Sequence, residues 1–292
     1  MRNVFRRRLP AALLCACLIG MMLPMTAMAK SKTYVPTEGT VTREEADGSK
    51  ETYSVKYVYR KDGKIASRTY IYPSFSDTYN YSWSKNFVTS IYNVESDGDV
   101  YTWSYKYKKK LLSSFDFSSP YNKSHEDYTW KKKTGTYTST QTSEGATIAG
   151  NSGTVKVNGK KQMVSGTETS PKGKTVTTAC KYYGNGNLKS KVTDGTTYDY
   201  GSEDTVIIKS STTYNKAGYK TGSTSYYNDG SVSTTTYSYV MDSKMKCPTQ
   251  VKVTYTHGKY SHVTTYTFTA FQKVKRTWNC DGRGNTLPLA AN

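Results

Sequence analysis

The aromatic residues of this chain are the side chains best suited to holding a ligand. The sequence contains 28 Tyr and 4 Trp but only 7 Phe. Flat rings can stack on the apolar faces of sugars, while Tyr and Trp also carry a polar group. The candidate platform consists of Trp83, Trp103, Tyr105, Trp130 and Trp278. The alternative is that these rings form cross-strand aromatic pairs within a sheet.

Groups that could catalyse a reaction or bind a metal are few. Two of the three histidines, His257 and His262, flank a short turn and could hold a metal with a carboxylate, but no third ligand is evident. No His-Glu-x-x-His, Gly-x-Ser-x-Gly or phosphate-loop motif occurs. Acidic residues such as Asp47 and Asp229 stand at turns rather than as a catalytic pair. The sequence therefore favours a non-catalytic protein without a cofactor.

The charge of the chain favours an anionic partner. The formal net charge is +19, and removing the first 29 residues with their four arginines leaves 37 basic and 22 acidic residues, or +15. Thirty-two of these basic residues are lysines. Lysine attracts polyanions without the bidentate contacts by which arginine reads bases, so we expect no sequence-specific nucleic acid binding. The alternative is that the lysines, including Lys108–Lys110 and Lys131–Lys133, are solvated strand ends that keep the sheet soluble.

Period-2 alternation predicts the elements that position these residues. Tyr53, Val55, Tyr57 and Tyr59 alternate with polar or small residues, and the segment 101–108 repeats the pattern. Alternation of this kind with Tyr, Val and Thr is typical of β-strands. No segment after residue 29 shows the spacing of an amphipathic helix.

Turn dipeptides separate the strand-like segments and predict serial β-hairpins. Asp-Gly and Asn-Gly favour type I′ turns because both central residues of that turn need positive φ. Eight such pairs occur, and we expect five or more at hairpin tips. They begin at Asp47, Asp62, Asp97, Asn158, Asn185, Asp194, Asp229 and Asp281.

A degenerate repeat surrounds several of these turns and resembles known repeat families. The segment 214–219 resembles the YD-type repeats of the Rhs and teneurin class, and 182–190 resembles the variant MORN repeats of bacterial proteins. The segment 226–231 is similar to choline-binding cell-wall repeats. The first resemblance implies extended sheets or shells of hairpins, and the last implies aromatic cages. Each repeat unit would need a stacked neighbour to bury its aromatic face.

The hydrophobic composition makes tyrosine the main candidate for the core. After residue 29, Val, Ile, Leu and Phe together number 36 of 263 residues, about 14%, a level typical of disorder at this charge. Alternating tyrosines reverse that expectation. We predict an all-β fold of serial antiparallel hairpins in an extended, twisted, Tyr-rich sheet or a partly closed sandwich. An outer-membrane barrel is the less favoured alternative, because its lipid-facing strands would need aliphatic residues.

The first 29 residues are predicted to be a signal peptide. A basic stretch precedes an apolar run, and Ala27-Met28-Ala29 fits the rule for cleavage between small residues. The alternatives are an uncleaved anchor and lipidation at Cys17. No apolar run after residue 29 approaches the ~20 residues that span a bilayer, so we expect no transmembrane span after cleavage. The rest, 30–292, is predicted to be one hairpin-repeat domain with a possible subdivision near 134–153.

Three cysteines remain after the leader. Cys180, Cys247 and Cys280 allow one disulfide and one free thiol, in three possible pairings. The sequence does not choose among these pairings or define an oligomeric state. Taken together, it predicts a secreted or cell-surface interaction protein that binds a glycan or an anionic cell-wall polymer. An extracellular polymer hydrolase and a structural scaffold for protein partners are the alternatives.

Overall fold

The structure is a computed structural model that describes residues 33–143, 146–196 and 205–279. Within these residues the regular structure consists of β-strands. The eighteen strands are β1 (Thr33–Glu45), β2 (Lys50–Tyr59), β3 (Ile65–Ile71), β4 (Ser76–Ser84), β5 (Phe87–Val94), β6 (Val100–Lys108), β7 (Leu111–Ser118), β8 (Asn122–Lys131), β9 (Thr134–Ser143), β10 (Ala146–Val157), β11 (Met163–Thr169), β12 (Thr175–Tyr182), β13 (Leu188–Asp194), β14 (Ile207–Tyr214), β15 (Lys220–Tyr227), β16 (Val232–Met241), β17 (Pro248–His257) and β18 (Tyr260–Val274).

Each strand pairs antiparallel with the strands before and after it in sequence, and the series closes on itself. The closing pair is β1 with β18, which runs in register from Thr33 opposite Val274 to Glu45 opposite His262. β1 also pairs with β2, so none of the described strands is left at an edge. The protein is therefore an eighteen-stranded antiparallel β-barrel. All-β structure and serial hairpins were predicted correctly, but the open sheet or partly closed sandwich was wrong.

The physical reason for the correction lies in the first and last strands. β1 and β18 are long, with 13 and 15 residues, and a sheet that ended on them would expose two long unpaired edges. Pairing them satisfies both rows of backbone groups. Two register shifts near Pro36 and Glu38 bend β1 where it follows β18.

Tyrosines predominate among the aromatic side chains that point into the barrel. In β2, Tyr57 and Tyr59 are 3% and 5% exposed, whereas the alternate residues Lys56 and Val58 are exposed. Cross-strand pairing carries this inner face around the barrel, as in the pair Tyr105–Phe115. Buried residues of β1–β3, β5–β11, β17 and β18, with Tyr219 and Trp278, form one core cluster. Among the buried residues of that cluster, six are tyrosines and eight are valines.

The outer surface of the barrel is rich in threonine, serine and lysine. β9 presents the five threonines at positions 134, 136, 138, 140 and 142 to the outside. On other strands, threonines paired across the ladder bond through their hydroxyls, as Thr154 and Thr167 do at 2.8 Å. Exposed apolar residues such as Val58 and Val240 stand among them. This polarity is the reverse of a lipid-facing barrel, which is apolar outside and polar inside. Within the described residues, no helix is long and apolar enough to cross a membrane.

The hairpin tips follow the predicted dipeptides but differ in geometry. Seven of the eight pairs lie where one strand leads to the next, and the pair at Asp281 lies outside the described residues. At Asp62-Gly63 only the glycine has positive φ, 90°. The bonds from Gly63 N to Arg60 O and from Arg60 N to Lys64 O define a type I turn followed by a glycine bulge. Asp62 Oδ1 also accepts a bond from Lys64 N at 3.2 Å, which favours this turn over type I′.

The predicted subdivision near 134–153 falls in β9 and β10. These strands pair with each other and with β8 and β11, so the ladder continues through this segment. The predicted signal peptide, with Ala27 and Ala29, lies outside the described residues, as does Cys17.

Residues 275–279, which follow β18, form a strap across one end of the barrel. Trp278 Nε1 donates to Asp62 O at 3.2 Å, and Thr277 Oγ1 donates to Ala217 O at 2.8 Å. Asn279 bonds to both backbone groups of Leu188, at 3.1 and 3.3 Å. The strap therefore ties together the turns that follow β2 and β14 and the start of β13.

Replacement of Trp278 tests how strongly the strap stabilises the barrel. The side chain is 6% exposed. We expect Trp278→Ala to lower the free energy of unfolding by about 3–5 kcal/mol, because it removes a buried ring and leaves a cavity. Trp278→Phe keeps a ring but loses the bond to Asp62, so its cost should be about 1 kcal/mol. Urea unfolding curves measure both, and equal costs for the two variants would contradict this assignment.

Candidate functional sites

The five predicted platform residues do not form an exposed face. All of them lie on the inner side of the barrel or beneath the strap, and Tyr105 and Trp278 are buried. The indole N–H groups of Trp83 and Trp130 donate to the backbone carbonyls of Ile65 and Leu112, both at 2.8 Å. The structure thus brings Trp83 and Trp278 together, with ring centroids 6.3 Å apart, but separates them from Trp130.

The remaining two platform residues, on β6, pack against neighbouring rings. Trp103 lies 6.3 Å from Tyr101 and 5.5 Å from Phe117, and Tyr105 lies 5.0 Å from Phe115. This is the cross-strand pairing that the sequence offered as the alternative. A role for these rings in sugar binding stays a prediction, and it would require a ligand inside the barrel.

Lys64 occupies the space between Trp83 and Trp278. It is 6% exposed, with Nζ 5.7 and 5.2 Å from the two ring centroids. Its Nζ also lies 2.7 Å from Asp62 Oδ2. A buried ammonium needs a charged partner, and here it has a carboxylate as well as two aromatic faces. The pair fixes the turn on which the strap rests.

Two buried glutamates lie on the inner face, on β8 and β11. Glu126 is 2% exposed and Glu168 is 1% exposed. The hydroxyl of Tyr128 bonds Glu126 Oε2 at 2.5 Å, and Glu168 accepts bonds from Tyr137 at 2.9 Å and Asn151 at 2.6 Å. The two tyrosine rings stack on each other with centroids 5.1 Å apart. The sequence did not single out these glutamates, although Glu126 is in phase with Tyr128.

The two histidines of the predicted metal pair make separate contacts. His257 Nε2 lies 2.8 Å from Ser231 Oγ, and His257 stacks on Tyr227. His262 stacks instead on Tyr255 at 5.0 Å. Across the parts of the chain that the structure describes, no three His, Cys, Asp or Glu residues are grouped so as to hold a metal ion.

Cys180 and Cys247 are both buried free thiols, so they are not paired with each other. Burial raises the pKa of Cys247 to about 11, and the charge of Asp242 adds to the rise. Burial also raises the pKa of Cys180. Cys280 lies outside the described residues.

The most distinctive arrangement on the surface is a concentration of lysine at one end of the barrel. Because the strands run alternately up and down, the turns after even-numbered strands share this end with the strap. We call it the basic rim. Its nine segments contain only two acids, Asp62 and Asp242. Its fifteen basic residues are Arg60, Lys61, Lys64, Lys85, Lys109, Lys110, Lys132, Lys133, Lys160, Lys161, Lys216, Lys244, Lys246, Lys275 and Arg276.

The other end of the barrel, which we call the opposite rim, has the contrary balance. Its described turns contain the acids Asp47, Glu95, Asp97, Asp99 and Asp229. They contain the bases Lys172, Lys174 and Lys259. Neighbouring carboxylates there repel one another. Burial is the main cause that raises the pKa of Glu95, and the charges of Asp77, Asp97 and Asp99 raise it further. The net charges of the described turns at the two ends are therefore opposite in sign.

Lysines in the basic rim also adopt a backbone conformation that lysine disfavours. Among the described residues, six other than glycine have positive φ, and every one is a lysine of this rim. They are Lys85, Lys109, Lys110, Lys132, Lys161 and Lys246. The corresponding positions at the opposite rim are glycines, such as Gly48, Gly98 and Gly230. A non-glycine residue in this region costs about 1–2 kcal/mol, so turn stability alone does not explain the lysines.

The sequence contained a signal for this rim that its charge runs alone did not reveal. Lys109-Lys110 and Lys132-Lys133 fill two-residue gaps between alternating strands, where Asn-Gly would be usual. Two strands lie between these gaps, so in an antiparallel series both lysine pairs fall at the same end of the sheet. Read only as runs, they suggested solvated strand ends.

Comparisons with known proteins give remote structural similarities. No protein-family model matches the chain, and no curated protein does. A porin-like protein from Bacteroides uniformis is similar with a TM-score of 0.42 and 12% identity, over 84% of this chain and 100% of that one. A porin-like protein from Bacteroides vulgatus is similar with a TM-score of 0.38 and 13% identity, over 81% of this chain and 99% of that one. A LolA superfamily protein from Nitrosomonas europaea is similar with a TM-score of 0.25 and 7% identity, over 84% of this chain and 87% of that one. The assignment of the barrel rests on the strand pairing itself.

The pH dependence of stability tests the buried glutamate on β8. Burial is the main cause that raises the pKa of Glu126 to about 8. The hydrogen bond from Tyr128 lowers this pKa, and the charge of Glu168 raises it further. Because the folded pKa lies above the unfolded one, this group should stabilise the protein fully below about pH 4.3 and lose that contribution as pH rises to 8.

We therefore expect the free energy of unfolding in urea to fall by a few kcal/mol between pH 5 and pH 8. Glu126→Gln should flatten that dependence. His125 faces outward beside Asp116, whose hydrogen bond is the main cause that raises the pKa of the imidazole. His125→Gln serves as the control and should retain most of the slope. An unchanged slope in Glu126→Gln would refute the assignment.

Proposed function

We propose that this protein is a non-catalytic, exported binding protein whose basic rim holds an anionic cell-wall polymer or acidic glycan. The observation that carries the proposal is the placement of fifteen basic and two acidic residues at one end of the barrel. A polyanion binding there would release condensed counterions and gain affinity without sequence-specific contacts.

The conformation of the rim lysines supports the proposal over a purely solubilising role. Lysines placed for solubility could stand on the outer faces of strands, where they cost no backbone strain. Instead, six of them occupy positive-φ positions at turn tips, and Lys161 and Lys246 stand at bulge positions that other turns fill with glycine. Residues held in such strain cluster at functional sites.

The geometry of the rim suits a flexible chain of charges better than a small ligand. Lys109, Lys110, Lys132 and Lys133 are exposed on adjacent turns that project from the barrel. An exposed ammonium contributes little by itself, and many together give a binding free energy that falls as salt is added. Export follows from the predicted signal peptide and is part of the proposal.

A double replacement in the turn after β6 separates charge from turn stability. Lys109 and Lys110 both have positive φ, 51° and 67°, so Lys109→Asn with Lys110→Gly gives the preferred type I′ dipeptide. We expect the variant to be more stable by about 1–2 kcal/mol. Its affinity for purified cell walls and for immobilised heparin at low salt should fall about 2- to 30-fold, because two cationic contacts are lost.

The matched control removes the same charge from the opposite rim. Lys172→Gln with Lys174→Gln should leave binding unchanged. Cell walls stripped of their anionic polymers and neutral dextran should retain neither protein. Equal losses of binding in the two double variants would show that only net charge matters and would overturn the assignment to the basic rim. Binding that is insensitive to salt would overturn the proposal as a whole.

A further inference from the structure

Arg68 lies on the inner face of the barrel without an acidic partner. Register places it between Tyr57 on β2 and Tyr79 on β4, both inward-facing positions. Its guanidinium carbon lies 4.9 Å from the ring centroid of Tyr70 and 4.7 Å from that of Tyr79. Its Nε is buried and has no hydrogen-bond partner among the described residues. Two other inner cations have acidic partners, since Lys64 pairs with Asp62 and Arg43 with Glu45.

Tyrosines surround this guanidinium, and their hydroxyl groups are further hydrogen-bond donors beside it. Burial raises the pKa of Tyr81 to about 12, and the charge of Arg68 opposes the rise. Burial likewise raises the pKa values of Tyr57, Tyr59 and Tyr266, and the charge of Arg68 opposes each rise. These phenols therefore keep their protons at neutral pH. The hydroxyl of Tyr59 is buried and, like Arg68 Nε, has no hydrogen-bond partner in the part of the chain that the structure describes.

Two unsatisfied donors in one aromatic environment call for an acceptor. A buried cation without a counter-charge costs several kcal/mol, and the rings of Tyr70 and Tyr79 offset only part of that cost. The inner carboxylates Glu126 and Glu168 are already bonded to tyrosine and asparagine side chains, and Asp77, which lies opposite Tyr70 on β4, forms no ion pair with Arg68 within the described residues. A bound anion would satisfy both donors. The planar fork of N–H donors on a guanidinium matches the oxygens of a carboxylate or phosphate.

Part of the inner face of the barrel is accessible to solvent. Arg68 is partly exposed although it points inward, and so are the inner residues Thr212 and Ser223 on β14 and β15. These small hydroxyl side chains contrast with the large rings of β2–β4. Aromatic rings with a guanidinium among them are groups that bind a hydroxylated, negatively charged molecule.

We propose that the inside of the barrel contains an oxyanion site at Arg68 and Tyr59, which takes the carboxylate or phosphate group of an acidic sugar. The site is distinct from the basic rim and does not depend on the function proposed for that rim. Arg68 binds the anion, the hydroxyl of Tyr59 donates a hydrogen bond to it, and Tyr70 and Tyr79 hold the guanidinium plane.

Thermal unfolding and calorimetry of the folded protein test the site with defined probes. Glucuronate, glucose 6-phosphate and inorganic phosphate should each be compared with chloride at equal ionic strength, and glucose serves as the neutral probe. We expect glucuronate or glucose 6-phosphate to raise Tm by about 3–6 °C when it is well above its Kd. A response to the acidic sugars that exceeds the response to phosphate would show that the sugar ring is also recognised.

Arg68→Gln should abolish this rise, since it removes the fork and the charge. Without ligand its Tm should not fall, because removing an unpaired charge from the inner face offsets the loss of the contacts with Tyr70 and Tyr79. Arg43→Gln is the matched control, since Arg43 already pairs with Glu45, and it should keep the ligand effect. Lys109→Asn with Lys110→Gly should keep it too, which separates this site from the basic rim.

Tyr59→Phe keeps the ring and removes the unpaired hydroxyl, so it provides a reading even if Arg68→Gln does not fold. We expect Tyr59→Phe to weaken binding of the acidic sugar about 5- to 20-fold. Equal Tm shifts in the wild type and in Arg68→Gln would overturn the proposal, as would calorimetry that detects no binding of any anionic probe to the wild type.

Discussion

Closure of the strand ladder by β1 and β18 is the constraint on which the rest of the structure depends. Once these strands pair, every backbone row has a neighbour, and the alternating side chains divide into one enclosed face and one wet face. Tyrosine suits the enclosed face of a wide barrel because its ring fills space and its hydroxyl can bond. Tyr107 and Tyr239 illustrate this, since their hydroxyls donate to backbone carbonyls.

An even number of strands decides which turns lie together. With eighteen strands, both ends of the barrel-forming chain leave at the same rim, so the strap after Val274 lies among the lysine-rich turns. Trp278 and Lys64 are buried against each other at this rim, whereas lysines such as Lys109 and Lys132 are exposed on its turns. Stability and charge at the basic rim therefore arise from neighbouring residues with different tasks.

Local features of this fold could be predicted from sequence, and the global feature could not. The alternation of Tyr53 to Tyr59 gave the inner face correctly, and the Asp-Gly pairs gave the hairpin tips. Period 2 is identical in an open and a closed sheet, so closure depended on a pairing between residues 33–45 and 262–274 that no local pattern contains. The bulge opposite Tyr59 shifts the phase between Ile65 and Arg68, which hid Arg68 from an argument based on alternation.

The opposite charges of the two rims also give the molecule a direction. A body with cations gathered at one end and carboxylates at the other has an electric dipole along the barrel axis, and an anionic surface exerts a torque on such a dipole before contact. The barrel would arrive with its axis upright and its lysine-rich turns leading. The acidic turns around Asp97 and Asp229 would then face away, and they would repel a second layer of any anionic chain.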